Sequence, residues 1–117
     1  MIINIDNLRL RTIVGIFEWE QKIKQDVVLN IEMEIDGSAA IENDDIEHTV
    51  DYKTLTKAII EKVENTKFNL IEKIAGDVTN IIMQNPKVLK SKVRVDKPGA
   101  LRFADSVSVT HTEVKNV

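Results

Sequence analysis

Between Val27 and Ile35 every second residue is large and apolar: Val27, Leu29, Ile31, Met33 and Ile35 are interleaved with mainly polar neighbours such as Asp26, Asn30, Glu32 and Glu34. Successive side chains of a β-strand point to opposite faces, so this spacing predicts a strand in a sheet with one buried face. A buried face needs a covering layer, and the chain supplies one downstream. From Asp51 the apolar spacing becomes helical, with Leu55, Ile59 and Val63 on one stripe supported by Ala58 and Ile60, and the helix is expected to end near Asn65. A second stripe follows in Ile71, Ile74, Ala75, Val78, Ile81 and Ile82, with Asn69 placed to cap its start and Asn85-Pro86 to stop it.

The remaining segments read as strands and connections. Residues 2–14 alternate through Ile3 and Ile5, then Leu8 and Leu10, and the change of phase near Asp6-Asn7 predicts a strand with a bulge. Val93 and Val95, then Val107 and Val109, predict two short strands around a Lys97-Pro98-Gly99 turn. Gly37 to Asp45 reads as a loop. The connection Gly15-Ile16-Phe17-Glu18-Trp19-Glu20-Gln21 carries too many large side chains for a solvated loop and is expected to pack on something. The order β-β-α-α-β-β predicts a single α+β domain over residues 1–117, with both helices on one face of an antiparallel sheet. Four strands cannot close into a barrel. Two free edges, and an opposite face carrying Ile13 and Val28, predict that other copies of the chain cover them in a homo-oligomer.

Composition removes several functional classes. A chain of 117 residues buries about two-thirds of its extended surface without needing staples. With no cysteine, disulfides, thiolate nucleophiles and cysteine-ligated metals are excluded, and a reducing cytoplasm is the expected location. His48 and His111 lack the spacing of a metal site and read as a loop residue and a strand-surface residue, so no metal is expected. A net charge of -3 with interspersed signs argues against nucleic acid as a partner. No basic leader runs into an apolar stretch and no eighteen apolar residues follow one another, so neither export nor a membrane association is expected.

Four positions stand out for chemistry, each with an ordinary reading beside the functional one. Lys97 precedes Pro98, which fixes its own φ and pushes the lysine backbone toward extension, and Gly99 lets the chain turn; a lysine held there is either a solvated turn residue or a general base. Tyr52, the one tyrosine, stands at a helix start as a half-buried aromatic or as a proton donor. Glu72 follows Asn69 by three residues, which is the spacing of a capping box, yet a first-turn carboxylate also accepts two parallel N–H bonds from an amidine-like ring edge. Glu20, taken singly, reads as a solvated acid.

Taken together, several segments resemble one family. Gly15 with Glu20 and Gln25, Val50-Asp51-Tyr52, Phe68-Asn69-Leu70-Ile71-Glu72 and Val93-Arg94-Val95-Asp96-Lys97-Pro98 resemble the dihydroneopterin aldolase family over essentially the whole chain. Asn7-Leu8-Arg9-Leu10-Arg11-Thr12, Asp45-Ile46-Glu47-His48 and Ala100-Leu101-Arg102-Phe103-Ala104-Asp105-Ser106-Val107-Ser108 are most similar to its dihydroneopterin triphosphate epimerase branch. Trp19-Glu20-Gln21 and Lys97-Pro98-Gly99-Ala100 also resemble some bacterial aldolases, and Val14 stands where many aldolases have histidine.

The resemblance implies the tunnelling fold, whose subunits join sheets into a ring, commonly a tetramer that stacks into an octamer, with sites between subunits. It implies a small dihydropterin substrate and no cofactor, because the ring imine itself accepts the electrons of the broken C1′–C2′ bond. In this reading Lys97 is the base, Tyr52 exchanges a proton with the intermediate, Glu72 holds the 2-amino and N3 edge, and Glu20 assists polar contacts. Leu70 and Ile71 border the ring, and Arg102 is a candidate for a triphosphate, with Arg9, Arg11 and Lys67 as other cations. Epimerisation of 7,8-dihydroneopterin triphosphate at C2′ is the expected activity. Aldol cleavage of 7,8-dihydroneopterin is the alternative, and a pterin- or purine-binding ring without catalysis is a third.

Overall fold

The computed structural model describes residues 1–116. The alternation at Val27–Ile35 becomes strand β2 (Gln25–Ile35), and its five alternating apolar residues, Val27, Leu29, Ile31, Met33 and Ile35, are buried. It lies between β1 (Ile2–Val14) and β4 (Val88–Pro98), antiparallel to both, and β5 (Ser106–Val114) continues the sheet beyond β4. The expected bulge is present. Pairing steps from Ile5↔Ile31 to Leu8↔Leu29, so Asp6 and Asn7 together face Asn30; Asn7 adopts φ 53°, and its N–H donates to Asn30 Oδ1 at 2.8 Å. Asparagine tolerates this left-handed backbone better than most residues. A second slip, from Glu34↔Lys90 to Ile35↔Val88, leaves Leu89 unpaired and restores Val88 to the buried face.

Two helices, α2 (Tyr52–Glu64) and α3 (Ile71–Met83), cover that face, α2 against β1 and α3 against β4 and β5. Their predicted stripes enter the core: Leu55, Ile59 and Val63 from one, Ile71, Ile74, Ala75, Val78 and Ile82 from the other. Asp51 starts α2 by accepting from Thr54 N at 3.2 Å, which places Tyr52 as the first helical residue. At the other end, the buried hydroxyl of Thr12 on β1 lies 2.6 Å from the Val63 carbonyl and 3.1 Å from that of Thr66. This contact holds the exit of α2 against β1 and directs the chain back along it.

Four expectations need correction. The sheet has a fifth strand, β3 (Lys67–Phe68), which pairs parallel with Ile13 and Val14; two residues carry no readable period. The segment read as a loop contains a one-and-a-half-turn helix, α1 (Ser38–Asn43), ended by Asp44 at φ 51°. Asn69 does not cap α3: Leu70 holds that position with no side-chain cap, so the capping-box reading of Glu72 falls with it. Finally, the outer face of the sheet is mainly polar rather than apolar, since Val28 borders Asn7, Arg9, Asn30, Arg94 and Asp96. The need for partners therefore rests on the edges. Among the described residues no helix is long and apolar enough to cross a membrane.

Ser91 is buried on β4 and its hydroxyl finds no hydrogen-bond partner among the described residues. Because a buried hydroxyl without a partner costs more than it contributes, Ser91→Ala is expected to raise the unfolding free energy by about 1 kcal/mol in a urea titration. A loss of stability would mean that the hydroxyl is satisfied in solution.

Candidate active site

The site begins where β1 ends. Gly15 takes φ 146°, a region favouring glycine, while its N–H donates to the Phe68 carbonyl at 3.1 Å. A Cβ on Gly15 would run into the carboxyl of Glu20. The missing side chain thus makes the space that Glu20 fills. A short 3-10 turn, Trp19–Gln21, folds the acid back under its own loop, with Glu20 N donating to Phe17 O at 3.0 Å.

Glu20 is 6% exposed, and an ionised carboxylate so placed requires partners. It has three. Lys97 Nζ lies 2.6 Å from Oε2, Gln25 Nε2 donates to the same oxygen at 3.1 Å, and Phe17 N–H donates to Oε1 at 3.4 Å. Lys97 is itself 13% exposed along its side chain. It sits not in the turn but in the last residues of β4, opposite Val107, with the turn beginning at Gly99 (φ 74°). Strand pairing therefore holds its backbone more firmly than a turn would. The charged neighbour of Lys97 is the Glu20 carboxylate.

Glu20 and Lys97 stand at one side of a cavity of about 290 Å³, with Gln25 beside them and Ile16, Phe17, Trp19 and Leu70 on the apolar side. Convergent charged groups facing an apolar wall suit a flat heterocycle with a polar tail. The turn's large residues do not pack within the chain: Ile16, Phe17 and Trp19 are 69%, 61% and 57% exposed. The one residue driven inward is the acid that read as solvated.

The Lys97 hydrogen bond is the chief cause of a Glu20 pKa below the ordinary 4.5; burial opposes it, and Gln25 and the Phe17 N–H reinforce it. In the unfolded chain the carboxyl takes up its proton first. Folding stability from this group is therefore complete above about pH 4.5 and disappears as pH falls through the lower folded value. Thermal melts at falling pH should accordingly show wild type losing more stability than Glu20→Gln in that window. Parallel losses in the two proteins would remove Glu20 from the acid response.

The other predicted residues lie apart. Leu70 lines the cavity, half exposed, whereas Ile71 is buried in the core. Glu72, exposed in the first turn of α3, borders a separate cleft of about 180 Å³ with Gly76, Val109, Thr110 and His111. Tyr52 is 53% exposed at the start of α2 and does not line the Lys97 cavity. Arg102 also lies outside it, with its guanidinium 5.1 Å from the ring centre of Phe103, itself 98% exposed. Arg11 is engaged with Asp26 at 3.5 Å. Sequence reasoning gave no role to Gln21 or Gln25. Gln25 also donates to Val14 O at 2.9 Å, and Gln21 reaches Phe68 O at 3.2 Å. A turn rich in large apolar residues was the available signal that something nearby must be held.

Comparison with known proteins identifies relatives of the whole chain. The family model described as dihydroneopterin aldolase (FolB) matches residues 3–112. A dihydroneopterin triphosphate 2′-epimerase of Pseudomonas aeruginosa is 47% identical over 108 residues, covering 92% of this chain and 88% of that protein. A dihydroneopterin aldolase of Haemophilus influenzae is 34% identical over 105 residues, covering 90% and 89%. The crystal structure of Escherichia coli dihydroneopterin aldolase in complex with neopterin superposes with a TM-score of 0.92 at 29% identity, covering 97% of this chain and 98% of that one.

Proposed function

The chain belongs to the dihydroneopterin aldolase family, and from that premise we propose that it epimerises 7,8-dihydroneopterin triphosphate at C2′ by retro-aldol cleavage and re-addition. Its α+β architecture is the tunnelling fold. The higher identity to an epimerase than to an aldolase, 47% against 34%, favours epimerisation. The observation that carries the chemistry is the Lys97–Glu20 pair at 2.6 Å in the cavity wall.

In this mechanism Lys97, once its ammonium has given a proton to solvent, takes the proton of the 2′-hydroxyl, directly or through water, and Glu20 stabilises the ammonium that is restored. As the C1′–C2′ bond breaks, its electrons pass to the ring imine and O2′ becomes an aldehyde. The aldehyde rotates while still bound, C1′ re-adds to its other face, and Lys97 returns the proton to O2′. Glu72 grips the 2-amino and N3 edge of the ring, Leu70 and Ile71 border it, and Arg102, on the loop entered through Gly99 and Ala100, is the candidate for the triphosphate. If the aldehyde leaves instead, C1′ must be protonated, with Tyr52 as the donor, and the product is that of an aldolase. This second reading is supported by the likeness to the neopterin-bound enzyme.

We further propose a closed homo-oligomer, a tetrameric ring or an octamer, in which Tyr52 completes the site of a neighbouring chain. Two features support it: among the described residues the outer edge of β5 has no partner strand, and β3 covers β1 only at Ile13 and Val14. Tyr52 and Glu72 standing outside the Lys97 cavity also favour a site assembled from more than one chain. Light scattering at micromolar concentration tests the assembly, and a monodisperse monomer that turns over substrate would defeat it.

Activity is tested with 7,8-dihydroneopterin and its triphosphate, by chiral separation of the pterin products and assay of the released aldehyde. A binding ring without catalysis would leave both substrates unchanged. Tyr52→Phe should move the product ratio toward the epimer, because only the cleavage route requires protonation at C1′. Chiral analysis in which epimerisation falls while aldehyde release is spared would overturn that role.

A further inference from the structure

We propose that Gln21 is a positioning residue which decides whether the two-carbon aldehyde is retained or lost, an inference that rests on the proposed retro-aldol chemistry. Its side-chain amide touches three acceptors: the Gly15 carbonyl in close contact, the Phe68 carbonyl at 3.2 Å, and Asn69 Oδ1 at 3.4 Å. All three demand a donor, so no carboxylate or thioether of similar length can replace the amide.

These contacts join two walls of the cavity. On one side is the turn that carries Glu20, whose exposed Ile16, Phe17 and Trp19 give it little packing to hold it in place. On the other is Phe68, only 2% exposed, followed directly by Asn69 and Leu70, which line the cavity. The backbone bond from Gly15 N to Phe68 O joins the walls once, and Gln21 adds a tie to both carbonyls and extends it to Asn69. Asn69 is thereby used across 48 residues of sequence instead of capping its own helix.

The chemical consequence follows from what epimerisation demands. After the C1′–C2′ bond breaks, the aldehyde must turn over without leaving, and escape competes with re-addition. Loosening the wall between the Lys97–Glu20 pair and Leu70 speeds escape but leaves proton abstraction unchanged. Partition between products therefore reports Gln21 directly. A purely structural role would lower both products in proportion as the active fraction fell.

The test uses Gln21→Met, which keeps length but removes the donors, and Gln21→Asn, which keeps the amide one methylene short. With 7,8-dihydroneopterin triphosphate, the ratio of cleaved to epimerised product should rise at least about fivefold in Gln21→Met, the size of one neutral hydrogen bond, and by less in Gln21→Asn. Trp19 is the only tryptophan, so its fluorescence anisotropy reads the turn independently of turnover and should fall in Gln21→Met. Should that variant fail to fold, a raised ratio in Gln21→Asn supports the proposal and an unchanged one overturns it. Active wild type with unchanged ratios in folded variants overturns the role of Gln21 alone. Wild type that yields neither product overturns both this inference and the proposed reaction.

Discussion

Lys97→Ala is expected to lower kcat for epimerisation and for aldol cleavage by at least about a hundredfold, with pterin affinity little changed, since one general base opens both routes. The substitution has a second effect that must be separated from the first. Glu20 would remain buried with only Gln25 and the Phe17 N–H as partners, and leaving one member of a buried ion pair alone costs about 3 kcal/mol or more of stability. Lys97→Met combined with Glu20→Gln removes both charges together and is expected to recover most of that stability while staying inactive. Urea titrations beside single-turnover rates distinguish the two losses. Full activity in Lys97→Ala would show that the base lies elsewhere, even with the family correctly identified.

Glu72→Ala should weaken pterin binding by about 2 to 3 kcal/mol, on the order of a hundredfold in Kd, through loss of a paired, charge-assisted contact. The fold should hardly notice. Glu72 is exposed, makes no ion pair among the described residues, and follows a helix start at Leu70 that uses no side-chain cap. A surface change of that kind alters stability by about 0.5 kcal/mol or less. Neopterin titration followed through Trp19, which lines the Lys97 cavity, measures the affinity, and a thermal melt measures the fold. Unchanged affinity with a lower melting temperature would return Glu72 to a purely structural role.

Both predictions rest on residues visible in the sequence, but visibility differed between them. Lys97 was marked by its own neighbours, Pro98 and Gly99, and Glu72 by its place at a helix start. Glu20 had no comparable local mark. Its burial depends on Gly15 leaving room, on a 3-10 turn, and on Lys97 lying 77 residues away. No periodicity carries such information, because Gly15 and the turn act through irregular backbone and Lys97 reaches the acid only through sheet pairing. The family resemblance supplied Glu20 as a site residue; the ion pair came only with the fold.

Periods of two and 3.6 residues are local properties of the backbone, so the sequence by itself determined β1, β2, α2 and α3 and most of their buried apolar residues, including the bulge at Asp6-Asn7, but not the burial of Thr12, Asp77 and Thr79. Tertiary structure decided what local preference left open. Ser38–Asn43 coils into a short helix, Lys67–Phe68 becomes a strand because β1 lies beside it, and Asn69 turns from its helix to Gln21. Hydrogen-bonding groups near a helix start or a strand end have several partners of similar energy, and only the completed packing selects among them. The order β3-β1-β2-β4-β5 made that selection, and it brought the end of β1 and the end of β4 together around Glu20 and Lys97.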